Sequence, residues 1–208
     1  MLFEIVSFVD DAYLDLQTYT NWWRFRGAKG SFPITSSARV YSRATIQGTL
    51  TDYEQLLVMN AAACSTYILI YTTATGVSDE TQCIYIPYDK WSGYWDAGTI
   101  PSGKPSFFTM QPDRSIEFDR TPDTNYTVLL DYTKTIDAMS ADTSEPIVPT
   151  EYHDVIPWSA ILKYCNVFDQ TESKQKKAQV EYNRIFGRLC FDQLPRYNMN
   201  LTELYGWP

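Results

Sequence analysis

The side chains best suited to chemistry in this 208-residue chain are few and scattered. His153 is the single histidine and stands beside Asp154 in a segment patterned as the start of a helix. A hydrolytic triad also needs a presented nucleophile, and no Gly-x-Ser-x-Gly elbow occurs. A structural or exposed role suits His153 better. The cysteines Cys64, Cys83, Cys165 and Cys190 form no Cys-x-x-Cys pair, and one histidine cannot complete a clustered zinc set. They read as reduced, mostly buried small hydrophobes. Phosphate-cradling glycine loops are absent too, so no catalytic residue, metal or cofactor is expected.

Two carboxylate pairs could serve a glycosidase, which works with one acid on each side of the scissile bond. Glu117 and Asp119 alternate along one segment, and Asp89 and Asp96 flank aromatic residues. A chain with 25 acidic residues offers such pairs throughout. Solvated charges that discourage pairing at a sheet edge are the preferred reading of Glu117 and Asp119. The stretch Tyr88–Trp95 (YDKWSGYW) carries Trp91, Tyr94 and Trp95. Exposed on a β-domain, these rings could stack on sugars and make a carbohydrate-binding module. Packing over a small core, or contact with a neighbouring subunit or tail component, is the preferred expectation.

Composition and charge narrow the function further. The longest apolar runs, Leu56–Cys64 and Tyr67–Tyr71, fall well short of the roughly 20 residues that span a bilayer. Residues 1–20 carry Glu4, Asp10, Asp11 and Asp15 and no basic residue, unlike a signal peptide. Synthesis and retention in the cytoplasm, with no membrane partner, are expected. The net charge of −8 is unevenly spread: residues 151–208 hold 7 acidic and 7 basic side chains, and residues 1–150 hold 18 and 10. Such an acidic excess opposes wrapping of nucleic acid by phosphate neutralisation, while leaving DNA free to slide past.

These residues must be positioned by elements of two kinds. Leu2, Ile5, Val6, Val9, Ala12, Tyr13 and Leu16 recur at helical spacing, and the pattern ends at Asn21–Gly27, with Gly27 and Gly30 punctuating the exit. Arg39–Gln47 alternates like a strand, and Asp52–Cys64 suits a short helix capped by Thr51. Tyr67–Thr73 and Gln82–Pro87 read as strands around a turn at Gly76, and Asp89–Pro105 as a loop. Ser106–Gln111, Ser115–Asp119 and Tyr126–Thr133, joined by short turns, predict a β-meander. After a polar connector at 137–150, Tyr152, Val155, Ile156, Ile161, Leu162, Cys165 and Phe168 mark a helix with a kink or staged start at Pro157. A last helix runs to about Gln193, buried along Ala178, Tyr182, Ile185, Leu189 and Cys190.

The expected fold class is therefore α+β. An N-terminal helix and two C-terminal helices form a bundle, a β-rich domain is inserted between them, and an extended tail follows. The divisions fall at residues 1–30, 31–149, 150–195 and 196–208. The tail contains Arg196, Tyr197, Met199, Leu201, Leu204, Tyr205 and Trp207.

The order of features from Tyr88 to Pro195 resembles a head-to-tail adaptor (head-completion) family of tailed bacteriophages. It comprises Tyr88-Asp-Lys-Trp, Gly103-Lys-Pro, Phe108-Thr-Met-Gln-Pro-Asp, Ile116-Glu-Phe and Thr121-Pro-Asp-Thr-Asn-Tyr. Tyr132, Glu145-Pro-Ile-Val-Pro, Tyr152-His153, Glu181-Tyr182 and Asp192-Gln-Leu-Pro follow. The resemblance implies a structural virion protein of the neck, made in the host cytoplasm. It would form a ring, in the family usually dodecameric, docked on the portal protein. The ring would extend the DNA channel for the passing genome and offer a platform to a tail or nozzle protein. It also implies a helical bundle carrying a β-domain, with the tail, Arg196 to Trp207, reaching the portal.

Overall fold

A computed structural model describes residues 2–36, 38–57, 67–95, 100–139, 144–168 and 172–194. The chain is mixed α+β and divides into two compact units. One unit joins residues up to Arg26 to those from Ile136 onward; the other comprises Gly27–Thr135.

The first unit is helical. Helix α1 (Leu2–Thr18) buries Ala12, Tyr13 and Leu16, as its spacing predicts, and also the polar Gln17. Its stripe stays half-exposed at Ile5 and Val6. The last turn of a helix leaves carbonyls without intrahelical donors. Here Trp23 Nε1 donates to the Leu16 carbonyl at 2.7 Å, and Arg26 Nη1 to the Gln17 carbonyl at 2.9 Å. That requirement explains the aromatic and basic exit Asn21–Gly27, in which Trp23 and Arg26 are both 1% exposed.

A 3-10 turn at Thr150–Tyr152 precedes α4 (Val155–Val167), which is the staged start expected around Pro157. Pro157 lies in the first turn of α4, where a missing N–H breaks no intrahelical bond. Ala160, rather than the 40%-exposed Ile161, faces the core. Helix α5 (Glu172–Gln193) buries Ala178, Ile185 and Leu189, with Tyr182 and Cys190 partly covered. Helix α1 packs on α4, and α4 on α5, around one apolar core.

The second unit is a mixed eight-stranded sheet. Its strands are β1 (Gly27–Ile34), β2 (Val40–Tyr41), β3 (Tyr53–Leu56), β4 (Tyr67–Thr72), β5 (Thr81–Tyr85), β6 (Phe107–Met110), β7 (Ile116–Phe118) and β8 (Tyr126–Lys134). The order is β1-β8-β4-β5-β6-β7-β2, with β3 also on β8. Strand β8 organises it. One side pairs with β1 from Gly27↔Thr133 to Ile34↔Tyr126. The other side is shared by β4, at Tyr126–Leu129, and β3, at Tyr132–Lys134. Tyr126, Val128, Leu130 and Tyr132 alternate into a core with Phe32, Ile34, Ile68, Ile70, Phe108 and Phe118.

Four local expectations are corrected. Gly27–Ile34 is a strand, because β8 offers it a full-length partner; Pro33 is tolerated since β1 is an edge. Gly30 serves close approach there, as a Cβ would stand 2.6 Å from Leu50 Cδ2. Arg39–Gln47 is only briefly a strand. Ser42 Oγ accepts from the Thr45 N–H and starts a short helix, α2 (Arg43–Gln47), that buries Ile46. Within Asp52–Cys64, Tyr53–Leu56 is β3 rather than helix, and residues 58–64 lie outside the described ones. The stretch Tyr88–Trp95 is a helix, α3, not a loop.

The meander is corrected as well. Strands β6 and β7 form the expected hairpin, turned through Arg114 at φ 67°, but β7 next meets β2 while β8 crosses to the middle of the sheet. A short turn at Thr121–Thr124 cannot reveal that, since the partners of β8 lie far back in the chain.

Candidate interaction site

The titratable groups singled out above are engaged in architecture. His153 Nε2 lies 2.8 Å from the Val148 carbonyl, tying the connector to the turn that precedes α4. Glu117 and Asp119 are buried, 4% and 2% exposed, and are not solvated edge charges. Glu117 pairs with Arg39 and accepts from Gln111 Nε2 at 2.6 Å. Asp119 Oδ1 accepts from the Ser106 and Phe107 N–H groups at 2.9 and 3.1 Å, and Oδ2 pairs with Arg120 Nε at 3.2 Å. Carboxylates so engaged hold the β6–β7 hairpin in register, and neither of the two is poised to act on a sugar. Asp89 is exposed at the start of α3, and Asp96 lies outside the described residues.

A second ionic cluster ties β3 to distant elements. Glu54 on β3 receives Arg43 Nη2 at 2.6 Å and also pairs with Arg114, 60 positions away in the β6–β7 turn. Burial pushes the Cys83 thiol far up, with the Asp119 charge adding to it, so its thiolate is suppressed. Among the described residues no group of three His, Cys, Asp or Glu side chains could hold a metal ion.

A cleft of about 240 Å³ opens among α1, α4 and α5, lined by Asp15, Leu16, Tyr19, Val155, Tyr182 and Phe186 among others. Its carboxylate, Asp15, is bridged to Lys163 at 2.5 Å. Burial raises the Tyr182 phenol, with Cys190, Tyr19 and Asp15 adding to it. One paired acid beside a protonated phenol provides neither a free base nor a nucleophile.

The expected contact residues fare differently. Trp91 is 1% exposed, a core anchor of α3, which removes one of the rings a flat sugar platform would need. Tyr94 and Trp95 lie on α3, with side chains outside the described set. The tail residues Arg196, Tyr197, Met199, Leu201, Leu204, Tyr205 and Trp207 also lie outside the described residues.

One surface was missed from sequence. On α5, Val180, Gly187 and Phe191 follow one another at seven and four positions, on the face opposite the buried Ala178–Ile185–Leu189 line. Val180 is 64% and Phe191 68% exposed. The available signal was this second apolar line, overshadowed by the lysines and arginines around it.

Fold and site together describe a mixed α+β protein in which buried ions lock strands and exposed apolar groups mark one helix face. The family model described as SU10 adaptor protein matches residues 2–203. The chain belongs to this family, a phage head-to-tail adaptor family, as the resemblance from Tyr88 to Pro195 implied. The family is a structural one and is not known for enzymes. Comparison with curated proteins gives no match. No helix among the described residues is long and apolar enough to cross a membrane.

Proposed function

We propose that the chain forms a ring adaptor in the virion neck, between the portal protein and the tail. There it extends the DNA channel and gives a tail or nozzle protein its platform. The observation that carries this is the family match, which runs from residue 2 to 203 and so takes in both units. Ring formation requires each subunit to present two different faces to its neighbours. The helices α1, α4 and α5 would form the bundle at the ring wall. Tyr94 and Trp95 would contact a neighbour or the tail component, on a helix held in place by Trp91. An acidic excess of 18 over 10 in residues 1–150 would keep passing DNA mobile and unread.

The tail, with Arg196, Tyr197, Met199, Leu201, Leu204, Tyr205 and Trp207, would dock on portal subunits. Many weak tails on one ring would bind with strong avidity. Co-expression with the portal encoded alongside, followed by electron microscopy, tests the assignment. A ring beneath the portal is expected, and removal of residues 196–208 should leave a folded chain that no longer co-purifies with it. Portal particles that stay bare beside abundant soluble chain would sink the proposal.

A further inference from the structure

The outward face of α5 is built for a close-packed helix. Val180, Gly187 and Phe191 lie within a narrow sector of the helical wheel, over about 16 Å of axis at 1.5 Å per residue. Glycine is the poorest helix former after proline, yet Gly187 sits well inside a 22-residue helix. The fold does not demand it there. A Cβ at Gly187 would meet no atom within 4 Å, and glycine with positive φ occurs only at Gly76 and Gly103 among the described residues. An exposed notch between two exposed apolar side chains is the shape that lets a second helix approach.

Charge identifies the occupant. The helix carries five basic and three acidic residues. Two of the basic ones, Lys176 and Arg184, are paired within α5, to Glu172 and Glu181. Lys177 and Arg188 flank the notch and are exposed. A second α5 would set like charges together, so a two-fold contact of α5 with itself is disfavoured. Among the described helices, α1 has the opposite character. It carries four acidic residues and no basic one, its apolar stripe emerges half-exposed at Ile5 and Val6, and Asp10 stands one turn on from Val6.

We propose that the α5 face of one copy receives α1 of the next copy, its apolar notch covered by Ile5 and Val6 and its basic flank facing Asp10. Such a contact is heterologous, joining different faces of the two copies, and repeats around a closed ring. It rests on the ring assignment and supplies the surface that assignment lacks.

The test uses the full chain, alone and co-expressed with the portal, with particle mass and ring images as readouts. Gly187→Trp fills the notch from a position where a Cβ has nothing to crowd, and should weaken self-association at least tenfold while circular dichroism stays unchanged. Lys177→Glu and Asp10→Lys should each weaken it, and the double reversal should restore it. Rings of unaltered stability in Gly187→Trp and in both single reversals would overturn the α5–α1 contact while leaving the ring assignment intact. Loss of portal capture with self-association preserved would assign the face to the portal and also overturn it. A native chain that stays monomeric with and without portal would overturn both proposals.

Discussion

The Gln17 side-chain amide and the Asp137 main chain exchange two hydrogen bonds across 120 positions. Gln17 Nε2 donates to the Asp137 carbonyl at 2.6 Å, and the Asp137 N–H donates to Gln17 Oε1 at 3.0 Å. Gln17 is 0% exposed while Asp137 is exposed, so the exchange is shielded from water on the Gln17 side. It fastens the end of α1 to the start of the connector that leads back into the helical unit. Gln17→Ala strands both backbone groups and should lower unfolding stability by about 2 kcal/mol. Gln17→Glu keeps an acceptor but sets a buried carboxylate against the Asp137 carbonyl, and should be destabilised at least as much in a urea titration. An unchanged midpoint in Gln17→Ala would show that the clasp contributes nothing.

Two glycines should respond to alanine with opposite signs. At Gly30 the new Cβ would crowd Leu50 Cδ2 and lie 3.0 Å from Tyr132 Cε1, so Gly30→Ala should cost about 1 to 2 kcal/mol, lessened when Leu50 is also shortened. At Gly187 nothing is crowded and helix propensity improves, so Gly187→Ala should raise the stability of the isolated chain by about 1 kcal/mol. Chemical denaturation of the two variants side by side checks both.

Asp119 offers a sharper test of the hairpin. Asp119→Ala removes the acceptor of two backbone N–H groups and the partner of Arg120, and should cost about 3 kcal/mol. Asp119→Asn keeps an oxygen for the N–H groups and should cost less. Hydrogen exchange should quicken first at Ser106 and Phe107.

Three phenols make the second unit sensitive to alkali. Burial pushes Tyr53, Tyr126 and Tyr132 each up to about 12; the Asp123 carboxylate adds to it at Tyr126, and Asp52 at Tyr132. Both carboxylates accept the phenolic proton at 2.6 Å. A tyrosine in the unfolded chain titrates near 10. With the folded value raised, the contribution is complete below about pH 10 and disappears as pH rises through about 12. Phenolate absorbance should lag that of the unfolded chain across this window, and Asp52→Asn should bring Tyr132 down. Coincident titration of native and unfolded chains would refute this.

Much of this fold was legible from local pattern. Helices α1, α4 and α5 announce themselves through apolar spacing, and β4 to β7 through alternation between turns. The failures share one cause, which is that remote partners decided the outcome. Gly27–Ile34 contains two glycines and a proline and is a strand because β8 runs beside it. Glu54 looked like part of a helix start and is the anchor for two arginines on β3. Glu117 and Asp119 looked solvated because Arg39 and the Ser106 and Phe107 amides cannot be placed beside them from spacing alone. Within the interaction site, Trp91 was visible as an aromatic anchor, but its direction was not. The outward line on α5 was readable, since Val180, Gly187 and Phe191 follow helical spacing, yet the dense charge around it reads first as an ordinary solvated face.

Strand β8 also dictates when the second unit can fold. Both β1 and β3 pair with it, and β4 needs it on one side. None of them can complete its hydrogen bonds until Lys134 has left the ribosome, some 100 residues after Gly27 was made. The helical unit waits longer still, because α1 emerges first and packs on α4. Each core thus closes only after a long stretch of its own sequence has been made, a slow and exposed route for contacts so far apart in sequence. Until then the acidic excess of the leading 150 residues keeps nascent chains apart by mutual repulsion.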